Sequence, residues 1–212
     1  MAYNLEEQEQ LENLKAFWKQ YGNFILTVIA VAALSVSGWR AWNWYQAREA
    51  AQASAVYEQL REAVSARDLD KVRAAAGTLF GDYGGTAYGE MAALVAARAY
   101  VEGGDPKAAR ATLEWAVSNA KDDEFRHAAR LRLAALLIDE KAYDEAGKLL
   151  AVEAPGKFAG EYADRRGDLL VAQGKPDEAR TAYRKALETL APDSPMRRLV
   201  QLKLDSLGKE VG

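Results

Sequence analysis

The chain has 212 residues, half of them hydrophobic, with 28 Lys and Arg against 31 Asp and Glu and a formal net charge of −3. One His and no Cys exclude thiol redox chemistry, Cys nucleophiles, Cys-ligated metals and His-based metal clusters. No Lys/Arg block stands out, so nucleic-acid binding has little support.

Residues 1–19 read as an amphipathic tail rich in Glu (Glu6, Glu7, Glu9, Glu12). Leu11, Leu14, Trp18 and Tyr21 fall at i, i+3, i+7 and i+10, an apolar face suited to a membrane surface or a partner helix. For so short a stretch, a merely solvated helix start is the competing reading.

Residues 20–39 (QYGNFILTVIAVAALSVSGW) carry no charge. Phe24, Ile25, Leu26, Val28, Ile29, Val31, Leu34 and Val36 favour bilayer insertion by about −2 to −5 kcal/mol, at roughly −0.3 to −0.6 each. Twenty helical residues at a rise of 1.5 Å span about 30 Å, the thickness of a hydrocarbon core. Phe17, Trp18 and Tyr21 on one side, and Trp39, Trp42, Trp44 and Tyr45 on the other, suit the two headgroup interfaces. Ser35-Val36-Ser37 resembles a signal-peptidase site. However, the preceding region is long and acidic, and the apolar run exceeds an h-region of about 7–15 residues, so a retained anchor is expected. Orientation stays open on charge alone: Lys15 and Lys19 precede the segment, Arg40 and Arg48 follow it, and only a first-span tendency leans toward a cytoplasmic N-terminus.

No Gly or Pro occurs between Gly38 and Gly77. The spacing therefore predicts that the membrane helix continues as a stalk over 40–67 and supplies the first helix of a repeat. Over 68–193, Ala75, Ala109, Ala146 and Ala179 recur at intervals of 34, 37 and 33 residues, close to a tetratricopeptide period. Twelve residues before each stands Ala63, Ala97, Ala134 or Gly167; four after stands Leu79, Leu113, Leu150 or Tyr183. Small residues let paired helices approach, and bulky ones fill the groove. In the best copy, Gly174 ends one helix, Pro176 opens the next and Pro192 closes the unit; Asp105 is a candidate N-cap in another. Two copies are degenerate, with Asp82 and Glu153 where Ala116 and Ala186 stand elsewhere. Residues 194–212 read as a capping helix that begins at Ser194-Pro195, buries Met196, Leu199, Leu202 and Leu207, and ends at Gly208. The predicted class is all-α: one transmembrane helix followed by a tetratricopeptide-like α-solenoid.

A search for chemistry finds no catalytic, metal or cofactor site. His127 precedes Arg130 and Leu131 on a predicted helix, where a packing or surface role is expected. Gly156-Lys157, Gly174-Lys175 and Gly208-Lys209 lack the upstream Gly and the Ser/Thr of a phosphate loop, and Gly81–Gly85 is an inter-helix turn. No isolated carboxylate pair sits in an apolar setting.

Ala16-Phe17-Trp18, Tyr21-Gly22-Asn23 and Gly38-Trp39-Arg40-Ala41-Trp42-Asn43 resemble the anchor and flanks of the YfgM-type ancillary subunits of the bacterial Sec translocon. Thr86-Ala87-Tyr88, residues 130–134 and residues 163–168 resemble the same family's repeats. The resemblance implies a non-enzymatic, single-pass inner-membrane protein with a cytoplasmic N-terminus and periplasmic repeats. It further implies association with SecYEG, with a membrane-anchored PpiD-type periplasmic chaperone and with emerging secretory chains. A partner face is expected from first-helix positions: Met91, Leu94, Arg98 and Val101, then Ala128, Leu131, Ala135 and Ile138, then Glu161, Asp164, Asp168 and Val171. Packing between repeats is the alternative for each. The rival functions are a scaffold for another cell-envelope assembly and, far behind it, a hydrolase or transferase.

Overall fold

The computed structural model describes residues 3–153 and 155–208, with side chains from residue 7 onward. Met1, Ala2, the Glu6 side chain and residues 209–212, Lys209 among them, lie outside the described residues. Among the described residues there are nine α-helices and no strand: α1 Tyr3–Ser65, α2 Leu69–Asp82, α3 Ala87–Glu102, α4 Pro106–Asn119, α5 Asp123–Asp139, α6 Tyr143–Leu150, α7 Ala159–Ala172, α8 Pro176–Thr189 and α9 Met196–Ser206. A 3-10 turn, Gly156–Phe158, precedes α7. The all-α expectation holds. The chain divides into two compact units, Met1–Glu49 and Ala50–Gly212.

Over residues 20–39 α1 carries no charge and is apolar over most of its surface. Phe24, Leu26, Val28, Ile29, Val31, Leu34 and Val36 are 51–72% exposed, a surface water does not tolerate on that scale. The helix is long and apolar enough to cross a bilayer. Two of the hydroxyls in its apolar stretch turn inward: Thr27 Oγ1 donates to the Asn23 carbonyl at 2.7 Å, and Ser35 Oγ to that of Val31 at 2.8 Å. Neither hydroxyl presents an unsatisfied proton to hydrocarbon.

The second unit is a stack of helical hairpins whose four turns share one construction. Asp68, Asp105, Ala142 and Lys175 N-cap α2, α4, α6 and α8, and each donates its N–H five residues back, to Ala63, Tyr100, Leu137 and Leu170. The residue before each cap, Arg67, Gly104, Lys141 or Gly174, has a positive φ of 55, 78, 62 or 74° and donates three residues back. This bond pair is a Schellman closure, which needs a left-handed residue. Glycine adopts it freely; Arg67 and Lys141 do so at a cost of about 1 kcal/mol each. Asp105 caps as expected, accepting from Ala108 N–H at 3.0 Å, and Asp68 does the same for Lys71 at 3.1 Å.

The turns fix the repeat register. Four residues beyond the caps stand Val72, Ala109, Ala146 and Ala179, all at 0% exposure, so the intervals are 37, 37 and 33 residues. The first repeat thus counts from Val72 and not from half-buried Ala75, a correction of three residues. The helix-packing pairs become Leu60 with Ala76, Ala97 with Leu113, Ala134 with Leu150, and Gly167 with Tyr183, every one buried. The first pair is large then small, and the others are small then large. The reversal keeps the summed volume similar, and it hid the register. At Gly167 an added Cβ would stand 2.3 Å from the Tyr183 ring. Gly167→Ala is expected to cost about 1–3 kcal/mol in urea unfolding. Combined with Tyr183→Leu it should cost less than the two single changes summed, since Ala97 with Leu113 already occupies the equivalent positions.

The two degenerate copies have short or ending helices. Asp82 is the last residue of α2, and Glu153 lies beyond α6, which is only 8 residues long. Between repeats, an arginine follows the buried position three times. Arg73 reaches the next cap, Asp105, at 3.0 Å; Arg110 reaches Glu145 at 2.5 Å and Glu140 at 3.3 Å; Arg180 donates to the Leu207 and Gly208 carbonyls at 2.6 and 3.2 Å. In the third repeat Gly147 takes that place.

The capping helix α9 starts where expected, with Ser194 Oγ accepting from Met196 N–H at 3.4 Å. Its inward face differs from the one read in sequence. Leu199 and Leu202 are 51% and 59% exposed, while Val200 is wholly buried and Met196, Leu204 and Leu207 pack beside it. Positions 196, 200, 204 and 207 form one helical stripe, which places 199 and 202 outside it.

Candidate interaction surfaces

The aromatic belt of α1 is built from the helix spacing itself. Phe17 and Tyr21, four apart, bring their rings to 5.0 Å, and Trp42 and Tyr45, three apart, to 6.4 Å. The Trp18 indole lies over Gly22, and the Arg48 guanidinium stands 5.7 Å from the Trp44 ring. Trp39, Trp42 and Trp44 are 61–66% exposed. Ile29 is exposed, and Ile25 is half-buried against its own helix.

On the hairpin stack, several expected first-helix residues meet along one face. Met91, Leu94 and Arg98 of α3 and Phe125 and Arg132 of α5 line a groove of about 460 Å³. Arg98 and Val101, with Ala135, Asp139 and Arg165, line a neighbouring groove of about 360 Å³. Leu94, Leu131 and Ile138 are half-buried and pack against the core, so part of the face also holds repeats together. Arg98 Nε donates to Glu102 at 2.7 Å, and that bond raises the Arg98 pKa. Arg132 donates to the Leu94 carbonyl at 3.1 Å. Burial and then the charge of Arg98 push its pKa down.

Asp164 and Asp168 do not belong to an open face. Asp164 is 2% exposed, and both its carboxylate oxygens accept from Lys203 Nζ of α9, at 2.8 and 2.9 Å. Asp168 accepts from Lys203, from Arg165 at 2.9 Å and from the Tyr183 hydroxyl at 2.8 Å. The capping helix covers this end of the fourth repeat, so the expectation of a free partner site there is corrected. Burial raises the Asp164 pKa despite the ammonium beside it, and burial followed by the hydrogen bond to Asp168 raises that of Tyr183. Glu161 is half-buried, with one carboxylate oxygen enclosed and without a partner.

His127 packs as expected. Its Nδ1 lies 2.9 Å from the Tyr162 hydroxyl, its ring meets Tyr162 edge-on and Phe158 at 4.9 Å, and burial lowers its pKa. Sequence reading missed Glu90, 4% exposed, whose carboxylate accepts from the Lys121 and Asp122 N–H groups and holds the α4–α5 turn to α3. Among the described residues no group of His, Cys, Asp and Glu is arranged to hold a metal ion.

A family model described as a tetratricopeptide repeat-like domain matches residues 15–209. Three relatives bear the name ancillary SecYEG translocon subunit. That of Neisseria gonorrhoeae is 33% identical over 98% of this chain and 100% of its own length. That of Haemophilus influenzae is 29% identical over 98% and 100%, and that of Escherichia coli 27% over 95% and 96%. A hairpin stack behind an apolar N-terminal helix, matched end to end at this identity, places the chain in the tetratricopeptide repeat-like family of ancillary SecYEG translocon subunits.

Proposed function

We propose that this chain is a non-enzymatic ancillary subunit of a bacterial Sec translocon, a tethered interaction module whose contribution is location. Residues 1–19 stay in the cytoplasm, 20–39 cross the inner membrane, 40–67 form the stalk and first repeat helix, 68–193 carry periplasmic repeats and 194–212 cap them. The aromatic belt and apolar shell of α1 pack beside the lipids and helices of SecYEG. The face around Met91, Leu94, Arg98 and Val101 engages a membrane-anchored PpiD-type chaperone and segments of emerging secretory proteins. The reading rests chiefly on one observation: relatives bearing the translocon name align with the chain over nearly its whole length, apolar helix included. The absence of any motif for catalysis in the sequence is consistent with it.

Purification of the full-length tagged chain in mild detergent tests the proposal. SecYEG and a PpiD-type chaperone are expected to co-purify at substoichiometric to equal amounts. Recovery of a cell-division or outer-membrane assembly with no translocon component would move the reading to a different envelope scaffold. Protease accessibility from each side of sealed vesicles checks the orientation: the repeats should be cleaved only from the periplasmic side.

A further inference from the structure

We propose that the joint between the third hairpin, α5 with α6, and the fourth, α7 with α8, is a hinge that is fastened while His127 is neutral and loosened when it takes up a proton.

The joint is built unlike the others. Its supporting helix α6 has 8 residues where α2, α4 and α8 have 14, which leaves about 9 Å less helix for α7 to rest on. It lacks the arginine tie, because Gly147 stands where Arg73, Arg110 and Arg180 bond onward. The apolar core also divides here. One buried cluster runs through the first three hairpins and includes Tyr162 and Leu169 of α7. Ala163 of the same helix belongs to a second cluster, with Tyr183, Leu190 and Val200.

Polar and aromatic contacts cross the joint instead. Arg166 donates to the Leu150 carbonyl at 2.6 and 3.2 Å, and Lys157 pairs with Glu124 at the surface. Half-buried His127 of α5 meets the Phe158 ring at 4.9 Å and the Tyr162 ring edge-on at 5.5 Å. Its Nδ1 lies 2.9 Å from the hydroxyl of Tyr162, a residue 1% exposed. The Arg130 guanidinium faces that hydroxyl too, and a guanidinium only donates. The Tyr162 proton is therefore assigned to the bond with His127, whose Nδ1 accepts and whose own proton sits on Nε2. A second proton on the ring removes the acceptor and leaves the Tyr162 proton enclosed without a partner. It also sets a cation beside Arg126 and Arg130 of its own helix, with Asp123 as the opposing charge. Across the joint stand Lys157, whose ammonium is 5.6 Å from the Phe158 ring, and Arg166 and Glu161 of α7. Burial first, and Arg130 next, hold the His127 pKa below the ordinary 6.5. A folded value below the unfolded one means that the closed joint prefers the neutral ring. The stability linked to it is complete above 6.5 and is lost as pH falls through the lowered value.

The device involves the hairpin stack alone, so its test needs no translocon and fails separately from the proposed function. Full-length protein in detergent carries nitroxide labels at Lys107→Cys on α4 and Glu188→Cys on α8, one on each side of the joint; the chain has no other Cys. Lys71→Cys with Lys107→Cys, both before the joint, is the control pair. Pulsed electron paramagnetic resonance reads the distances between about pH 8 and about pH 5. The 107–188 distribution is expected to broaden on acidification, with the open-to-closed ratio rising at most about tenfold per pH unit below 6.5, as for one proton. The control pair should not change. His127→Gln keeps a neutral acceptor and should hold the joint closed at every pH, whereas His127→Ala should leave it loose without pH dependence. An unchanged 107–188 distribution in the otherwise native chain, a control pair that broadens equally, a pH response surviving in His127→Gln, or a tight joint in His127→Ala would each overturn the proposal.

Discussion

Lys203→Met is expected to destabilise the hairpin stack by about 3–5 kcal/mol at neutral pH, the usual consequence of removing one partner from a buried ion pair. Asp164 is 2% exposed and its oxygens both accept from Lys203, so the substitution strands a carboxylate with no water to take over. The deficit should depend on pH in a defined direction. Burial already lifts the Asp164 pKa above the ordinary 3.8, against the pull of Lys203 and Arg165. A folded-state pKa above the unfolded one means that the fold prefers the protonated acid. The stability linked to it is complete below 3.8 and is lost as pH rises through the raised folded value. Without Lys203 that value moves higher still, and the gap between variant and native chain widens as pH rises through this window. Urea unfolding followed by circular dichroism at several pH values measures it. A pH-independent deficit would mean that Lys203 matters for its packed methylenes and not for its charge.

The second large effect concerns the membrane segment. Ile29→Arg places a cation at the centre of the 20–39 run and should cost about 3 kcal/mol of insertion free energy, comparable to the whole apolar gain of about 2–5 kcal/mol. The variant is expected to leave the membrane fraction in large part on alkaline carbonate extraction, while the native chain stays in the pellet. A fully integral variant would mean that another stretch carries the anchoring.

What was legible in the sequence follows from the range of the interactions involved. The apolar helix, the Asp105 cap and the Gly174 turn are encoded within a few residues, and they appear where the pattern puts them. The first repeat was misread because its signature is inverted: Leu60 and Ala76 occupy places held elsewhere by a small and a large residue, and Ala75 happens to sit near the expected interval. Arg67 and Lys141 concealed two turns by adopting a backbone form usually announced by glycine. The α9 face was assigned by leucine count, whereas its register is set by Val200. Lys203 with Asp164, Glu90 with Lys121 and Arg132 with Leu94 join residues 31–39 apart, and no local pattern announces such pairings. One signal was available: the arginine after Val72, Ala109 and Ala179, once the register is right, marks the bonds between units.

The inward-turned hydroxyls of Thr27 and Ser35 bear on how such a subunit joins a larger machine. With those two hydroxyls satisfied by its own backbone, neither position needs a hydrogen-bonding companion to rest among acyl chains. At these two positions, packing against another helix then draws on van der Waals fit and not on hydroxyl hydrogen bonds.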